Sequence, residues 1–247
     1  MRPRRSAGQV LISAHRMGAK GDRSRENSLP ALEEALALGV DYVEFDVWRR
    51  DDGSFVVAHD PEHDRGLPYE AVLAAFDGRA HAHIDLKFTS PHEAYEAGVA
   101  WEVEAARRAV EVLGHDRMIV TTGHDLAVRA VRDWSDAEGL DLMVGLSLGR
   151  SVRNLSWLRR IEVLRADLFP HVRIRDSRAN LVVAHHVLAR LGVAAYARRR
   201  GLPLLVWTVD APRALRYWTR PGRAWLVTTN QPGLALQVRS GVRASRT

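Results

Sequence analysis

The chain has no cysteine among its 247 residues. That excludes disulfides, thiolate metal sites and a cysteine nucleophile, and it fits a reducing compartment. Long apolar runs are missing as well. No stretch approaches the roughly 20 consecutive apolar residues of a membrane-spanning helix, so stable insertion into a bilayer is not expected. The basic opening MRPRRSA leads into an apolar run of only Val10 to Ile12, closed by Ser13 and His15, which is too short for a signal peptide. A cytoplasmic location is the expectation. Lysine is nearly absent: of 36 basic residues only Lys20 and Lys87 are lysine and the other 34 are arginine. A site that keeps lysine in such a chain calls for a compact point charge instead of a planar fork.

What is present fits one sizeable core. Apolar residues make up 46% of the chain, and nothing resembles a linker, a repeat or a low-complexity tract, so residues 1–247 read as a single domain. The net charge of +6 is spread end to end, with no basic segment and no motif for nucleic acid.

Nine β-type runs are expected, at Val10–Ala14, Tyr42–Val47, Phe55–His59, His83–Phe88, Met118–Thr122, Leu142–Leu148, Ala166–Phe169, Leu204–Val209 and Trp225–Thr228. Helical patterns lie between most of them. The clearest carries Leu29, Leu32 and Leu36, with Asn27 or Ser28 as N-cap, Pro30 in the first turn and Gly39 past the end. Others cover Tyr69–Phe76, Pro91–Leu113, His124–Glu138, Val152–Leu164, Ala179–Arg200, Ala211–Thr219 and Gly233–Val238. Between Val47 and Phe55 no helix fits, and Asp52-Gly53 signals a hairpin turn. With one hairpin arm set aside, eight strands each precede a helix, which is the count of a (β/α)8 TIM barrel, an α/β fold common at about 250 residues.

The segment VEFDV puts Glu44 and Asp46 on one face of a strand, opposite Val43, Phe45 and Val47. HIDLKF repeats the pattern with Asp85 and Lys87. An anionic strand face points either to solvent or to the barrel axis. Two such strands, each covered by helices, favour the axis, where ionic groups compensate one another. Glu44, Asp46 and Asp85 then form a hard oxygen site for Mg²⁺ or Ca²⁺, and Lys87 beside them suits a phosphate. His15, followed by Arg16, ends the run VLISA, and His59 ends FVVAH, both at strand C-termini where barrel enzymes build their sites. His63, His81, His83, His92, His115, His124, His171, His185 and His186 read as surface or packing residues. Trp207, late in a strand, either stacks on the alcohol part of a substrate or packs.

The run HRMGAKGDRSRENSLPALEEALALGVDYVEFDVWRRDDGSFVVAHD resembles the opening of the glycerophosphodiester phosphodiesterase family, a group of phospholipase-C-like phosphodiesterase barrels. The resemblance continues through IDLK, VWTVD and TTNQP. It implies a metal on Glu44, Asp46 and Asp85, acid/base work by His15 and His59, phosphate contacts from Arg16 and Lys87, and hydrolysis of a small phosphodiester. Which histidine is the acid stays open, as does a cyclic phosphate intermediate. Three departures stand out. The family usually has Glu at the position of Asp85, and Asp there resembles the related sphingomyelinase D-like lipases. Only about 25 residues separate His59 from Asp85, where many members carry a longer insertion. Asn230 stands where Asp is usual and Asp210 where Asn is common, both expected to lie away from the core site. A phospholipase D-like activity on lysophospholipids and a barrel that only binds a phosphorylated ligand are the rival readings.

Overall fold

In the computed structural model, which describes residues 8–60, 66–149 and 156–244, short runs of two to eight residues become strands: β1 (Leu11–Ala14), β2 (Tyr42–Arg49), β3 (Phe55–Val57), β4 (Leu67–Pro68), β5 (His81–Leu86), β6 (Met118–Thr122), β7 (Met143–Leu148), β8 (Leu181–His185), β9 (Leu204–Trp207) and β10 (Leu226–Thr229). Eight of them run in the order β1-β10-β9-β8-β7-β6-β5-β2, and β1 also pairs with β2, so the sheet closes on itself. All pairings in the ring are parallel. The expected (β/α)8 barrel is therefore present. The hairpin is present too: β3 lies antiparallel on β2, with Trp48 opposite Val56, and β4 extends it. The barrel arm is β2, a point the sequence leaves open.

Helices cover the ring from outside. The first, Leu29–Leu38, starts where the Ser28 hydroxyl accepts from the Ala31 amide at 3.3 Å and ends at Gly39, whose φ of 71° is the left-handed conformation of a helix stop. Outward residues such as Ile12, Val43, Phe45, Ile84 and Val120 pack under that shell. Tyr42, Ile119, Leu181, Val183, Leu205 and Leu226 fill the inside of the ring as a second, smaller cluster. Gly145 makes room there: a Cβ at that position would meet Val183 Cγ2 at 2.5 Å.

Two assignments change. The run Ala166–Phe169 is not a strand but the end of the helix Trp157–Leu168, and the eighth barrel strand is β8, inside the segment expected as the helix Ala179–Arg200. Leu181–Ala184 are buried on both faces, so they show no alternation, and the chain passes from His185 straight into a helix with no turn residue between. The run ADLF misleads because its Asp167 is itself buried, accepting from the Gly149 amide at 2.8 Å and pairing with Arg173 at 2.7 Å. The expected helix Pro91–Leu113 divides into His92–Glu96 and Trp101–Leu113, with Gly98 at φ 70° between them. Residues 152–155 of the expected helix Val152–Leu164, and His63, lie outside the described residues.

Candidate active site

Alternation along β2 carries Tyr42, Glu44 and Asp46 to the inside of the ring, and β5 sends His81, His83 and Asp85 there beside them, Asp46 standing opposite Asp85. The anionic face is the inner one. Glu44 is 3% and Asp46 1% exposed. One carboxylate oxygen from each of Glu44, Asp46 and Asp85 lies within 4.8 Å of the others. Lys87, one residue past β5, puts its Nζ 2.9 Å from Asp46 Oδ1 and also pairs with Asp85.

The other predicted groups converge on the same C-terminal mouth. Arg16 follows β1 in a left-handed conformation, φ 47°, and Met17 behind it has φ 63°. Such backbone is costly for residues with a side chain. Here it turns the Arg16 amide onto Glu44 Oε2 at 2.7 Å. The Arg16 guanidinium donates to Glu26 at 2.8 Å, lies 3.2 Å from Asp46 Oδ2 and donates to His59 Nε2 at 3.4 Å. His59 Nδ1 faces Asp46 Oδ2 at 3.7 Å, and His15 Nε2 is 3.9 Å from Glu44 Oε2. Trp207 ends β9 with its ring against His185, centroids 5.6 Å apart, and its indole N–H is buried without a partner among the described residues. The sequence-predicted residues other than Trp207 thus meet around the carboxylates; Trp207 stands on the wall of the mouth formed by β8 and β9.

Charge is shared unevenly. Burial, and then Asp46, push the Glu44 carboxyl well above the usual carboxylate range. Burial would raise Asp46 also, but His59, Lys87 and Arg16 outweigh it and hold that carboxyl below its ordinary value. Burial works against the Lys87 ammonium, yet Asp85, Asp46 and Glu44 keep it charged beyond the usual lysine range. His15 is lowered, first by burial, although its hydrogen bond with Asn230 opposes this.

Four further residues belong to the site although the sequence reading gives them other places. Of the two expected N-caps Ser28 takes the role, and Asn27 turns to the site: its amide nitrogen donates to Asp46 Oδ2 and its oxygen accepts from the Asp46 amide, both at 3.3 Å. His83 is neither surface nor mere packing. It is 4% exposed and neutral, its pKa pushed down to about 3 by burial and then by neighbouring His15 and Lys87. Because the Thr121 hydroxyl donates to Asp85 Oδ1 at 2.7 Å, His83 Nε2 must donate to Thr121 at 3.1 Å, and Ser13 must donate to His83 Nδ1 at 3.3 Å. A directed line of hydrogen bonds therefore ends on Asp85. The same period of two that nominates Asp85 and Lys87 places His83 on their face. Asn230 and Asp210, expected away from the core site, lie against it: Asn230 Oδ1 is 2.8 Å from His15 Nδ1, and Asp210 holds Asn230.

The donor set fits a divalent cation. Three carboxylates share one small space, Glu44 is held back from ionising by burial and by its neighbour Asp46, and buried Asp46 Oδ1 has no well-aligned hydrogen bond beyond its ion pair with Lys87. A hard dication relieves all three conditions. A cavity of about 1720 Å³ lies at the opposite end of the ring around Leu11, Tyr42, His81 and Trp225 and contains none of these groups.

A sequence model of the Glycerophosphoryl diester phosphodiesterase family matches residues 15–77, the stretch that supplies His15, Arg16, Glu44, Asp46 and His59. The chain is 23% identical over 266 aligned residues to a glycerophosphodiester phosphodiesterase of Caldanaerobacter subterraneus subsp. tengcongensis, covering 94% of this chain and 99% of that protein. Among solved structures, a glycerophosphodiester phosphodiesterase from Parabacteroides distasonis superposes with a TM-score of 0.71 at 18% identity, over 97% of this chain and 99% of the other. A phosphodiesterase from Oleispira antarctica in complex with the product sn-glycerol-3-phosphate superposes with a TM-score of 0.62 at 15% identity, over 94% and 97%. Residues 15–77 thus carry the sequence signature of the glycerophosphoryl diester phosphodiesterase family, on a barrel that shares the fold of solved glycerophosphodiester phosphodiesterases.

Proposed function

We propose that this chain, acting as a single barrel domain over residues 1–247, is a phosphoric diester hydrolase that cleaves glycerophosphodiesters to glycerol 3-phosphate and an alcohol. The observation that carries the reading is the meeting of three carboxylates, one lysine, one arginine and two histidines at one barrel mouth. The Oleispira antarctica relative, in complex with sn-glycerol-3-phosphate, supports a substrate of that size. A cytoplasmic location is part of the reading and suits a chain without cysteine.

Glu44, Asp46 and Asp85 would hold Mg²⁺ or Ca²⁺, which supplies Lewis-acid polarisation of the phosphoryl group. Lys87 and Arg16 neutralise phosphoryl oxygens as negative charge builds there. Oxygen of water, or of a neighbouring substrate hydroxyl, attacks phosphorus, and the bond from phosphorus to the alcohol oxygen breaks. One histidine of the His15 and His59 pair takes the proton from the attacking oxygen, and the other gives one to the leaving alkoxide, so that no free alkoxide is released at neutral pH. Trp207 offers its ring and unpaired N–H to the alcohol side of the substrate.

A second reading, phospholipase D-like cleavage of lysophospholipids, draws on the shorter carboxylate of Asp85 and on the small cover over the mouth. Between His59 and β5 the described residues form only β4 and the helix Tyr69–Ala75. The test is to incubate metal-stripped protein with glycerophosphocholine, glycerophosphoethanolamine and lysophosphatidylcholine, restore Mg²⁺ or Ca²⁺, and measure glycerol 3-phosphate, choline and lysophosphatidic acid. Metal-dependent glycerol 3-phosphate that disappears in His15→Ala and Asp85→Ala is the expected result. Lysophosphatidic acid alone moves the chain to the second reading, and no turnover at all overturns both in favour of a binding barrel.

A further inference from the structure

We propose that Asp210 is a positioning residue that acts on His15 through Asn230, and that this line of hydrogen bonds fixes the hydrogen of the His15 ring on Nδ1. The proposal rests on the reading above and deepens it by naming the residues that set the tautomer of one of the two histidines.

The orientation of the Asn230 side chain is settled by its neighbours. Its backbone N–H donates to Asp210 Oδ1 and its Nδ2 to Asp210 Oδ2, both at 2.8 Å. A carboxylate only accepts, so the amide nitrogen must be the atom that faces it. The carbonyl oxygen is left for His15, and it lies 2.8 Å from Nδ1. A carbonyl oxygen also only accepts, so Nδ1 carries the hydrogen. In a neutral imidazole that leaves the lone pair on Nε2, the nitrogen turned to the carboxylates, 3.9 Å from Glu44 Oε2. Asp210 is in turn fixed by the Thr229 hydroxyl at 3.1 Å, and its loop is tied down by the Val209 amide on Thr228 O at 3.0 Å. The line runs between the ends of two adjacent strands, β9 and β10, and finishes on the residue after β1. It delivers one tautomer, with a lone pair at the mouth.

The relay makes a particular prediction about exchange of its two members. In Asp210→Asn, two amides meet; Asn230 rotates to give its nitrogen to His15, and the hydrogen moves to Nε2. In Asn230→Asp, two carboxylates are forced to hydrogen-bonding distance. The double exchange Asp210→Asn/Asn230→Asp restores a complementary pair. The carboxylate then at position 230 accepts from the amide nitrogen at position 210 through one oxygen and from His15 Nδ1 through the other. Histidine ¹H–¹⁵N NMR of the full chain, with the His15 signal assigned by a His15→Gln variant, reads the tautomer directly. Turnover of glycerophosphocholine with Mg²⁺ reads its consequence.

The expected outcome is Nδ1–H in the parent and the double exchange and loss of that signature in both single variants. With it, kcat should fall on the order of 10- to 100-fold in the singles, at nearly constant KM, and recover in the double to within about tenfold of the parent. Single variants that keep Nδ1–H and full kcat overturn the proposal. So does a double variant that folds, by circular dichroism and thermal midpoint, and yet does no better than the singles. The tautomer is read without substrate. A parent with the expected tautomer that cleaves no phosphodiester therefore supports the relay and overturns the reading of the activity.

Discussion

Asp85, as short in reach as Asp46, is held by its own set of partners: Thr121 donates to it, His83 stands behind Thr121, and Lys87 pairs with it. Replacing it by Asn keeps the shape and removes the charge. Asp85→Asn should weaken Mg²⁺ or Ca²⁺ binding in calorimetric titration by at least about tenfold, and metal-dependent turnover should fall on the order of 100-fold. His83 gives a prediction with a sign. The native ring stays neutral to about pH 3, whereas the unfolded ring takes a proton near its ordinary 6.5. Between those values the unfolded chain binds more protons, so the contribution to stability is complete above pH 6.5 and is lost as pH falls. The slope approaches about 1.4 kcal/mol per pH unit, which comes to about 2 kcal/mol between pH 6.5 and 4.5. Urea unfolding at these two pH values should show a drop smaller by that amount in His83→Gln. Of the site residues, Glu44, Asp46, Asp85 and Lys87 were legible because alternation on a strand is a local property. Asn230 and Asp210 were not, because they reach His15 only through ring closure, across 215 residues of chain.

At the scale of elements, β7 and β8 illustrate what the sequence encodes weakly. A strand buried on both faces loses its alternation, so β8 merged with the helix after it, although strands with one polar face, β2 and β5, were placed correctly. What β8 requires of its neighbour is more specific. Val183 occupies the space above Gly145, and the added methyl of Gly145→Ala would stand 2.5 Å from Val183 Cγ2. Gly145→Ala should lower stability by about 1–3 kcal/mol in thermal or urea unfolding. Adding Val183→Ala should return part of that loss, since the two side chains compete for one volume.

For the whole molecule, metal and proton are linked. Glu44 keeps its proton to a higher pH than a free carboxyl, and a cation held there would need the carboxylate, so its binding is expected to release a proton and to strengthen as pH rises. Mg²⁺ or Ca²⁺ at about 100 times its Kd should stabilise the fold by about 2.7 kcal/mol. The accompanying rise in thermal midpoint should be larger at pH 8 than at pH 5 and absent in Glu44→Gln/Asp85→Asn. The barrel itself was legible from the count of strands and helices even with one strand misplaced, because the number of repeats, more than their borders, decides whether a ring closes. That closure also orders events during synthesis. β1 leaves the ribosome long before its partner β10. A nascent chain that stops short of β10 already carries every site carboxylate and both site histidines, but nothing yet holds His15 in its tautomer. Arrival of β10 and the orienting of His15 are then the same event, so a half-made barrel is also an unarmed one.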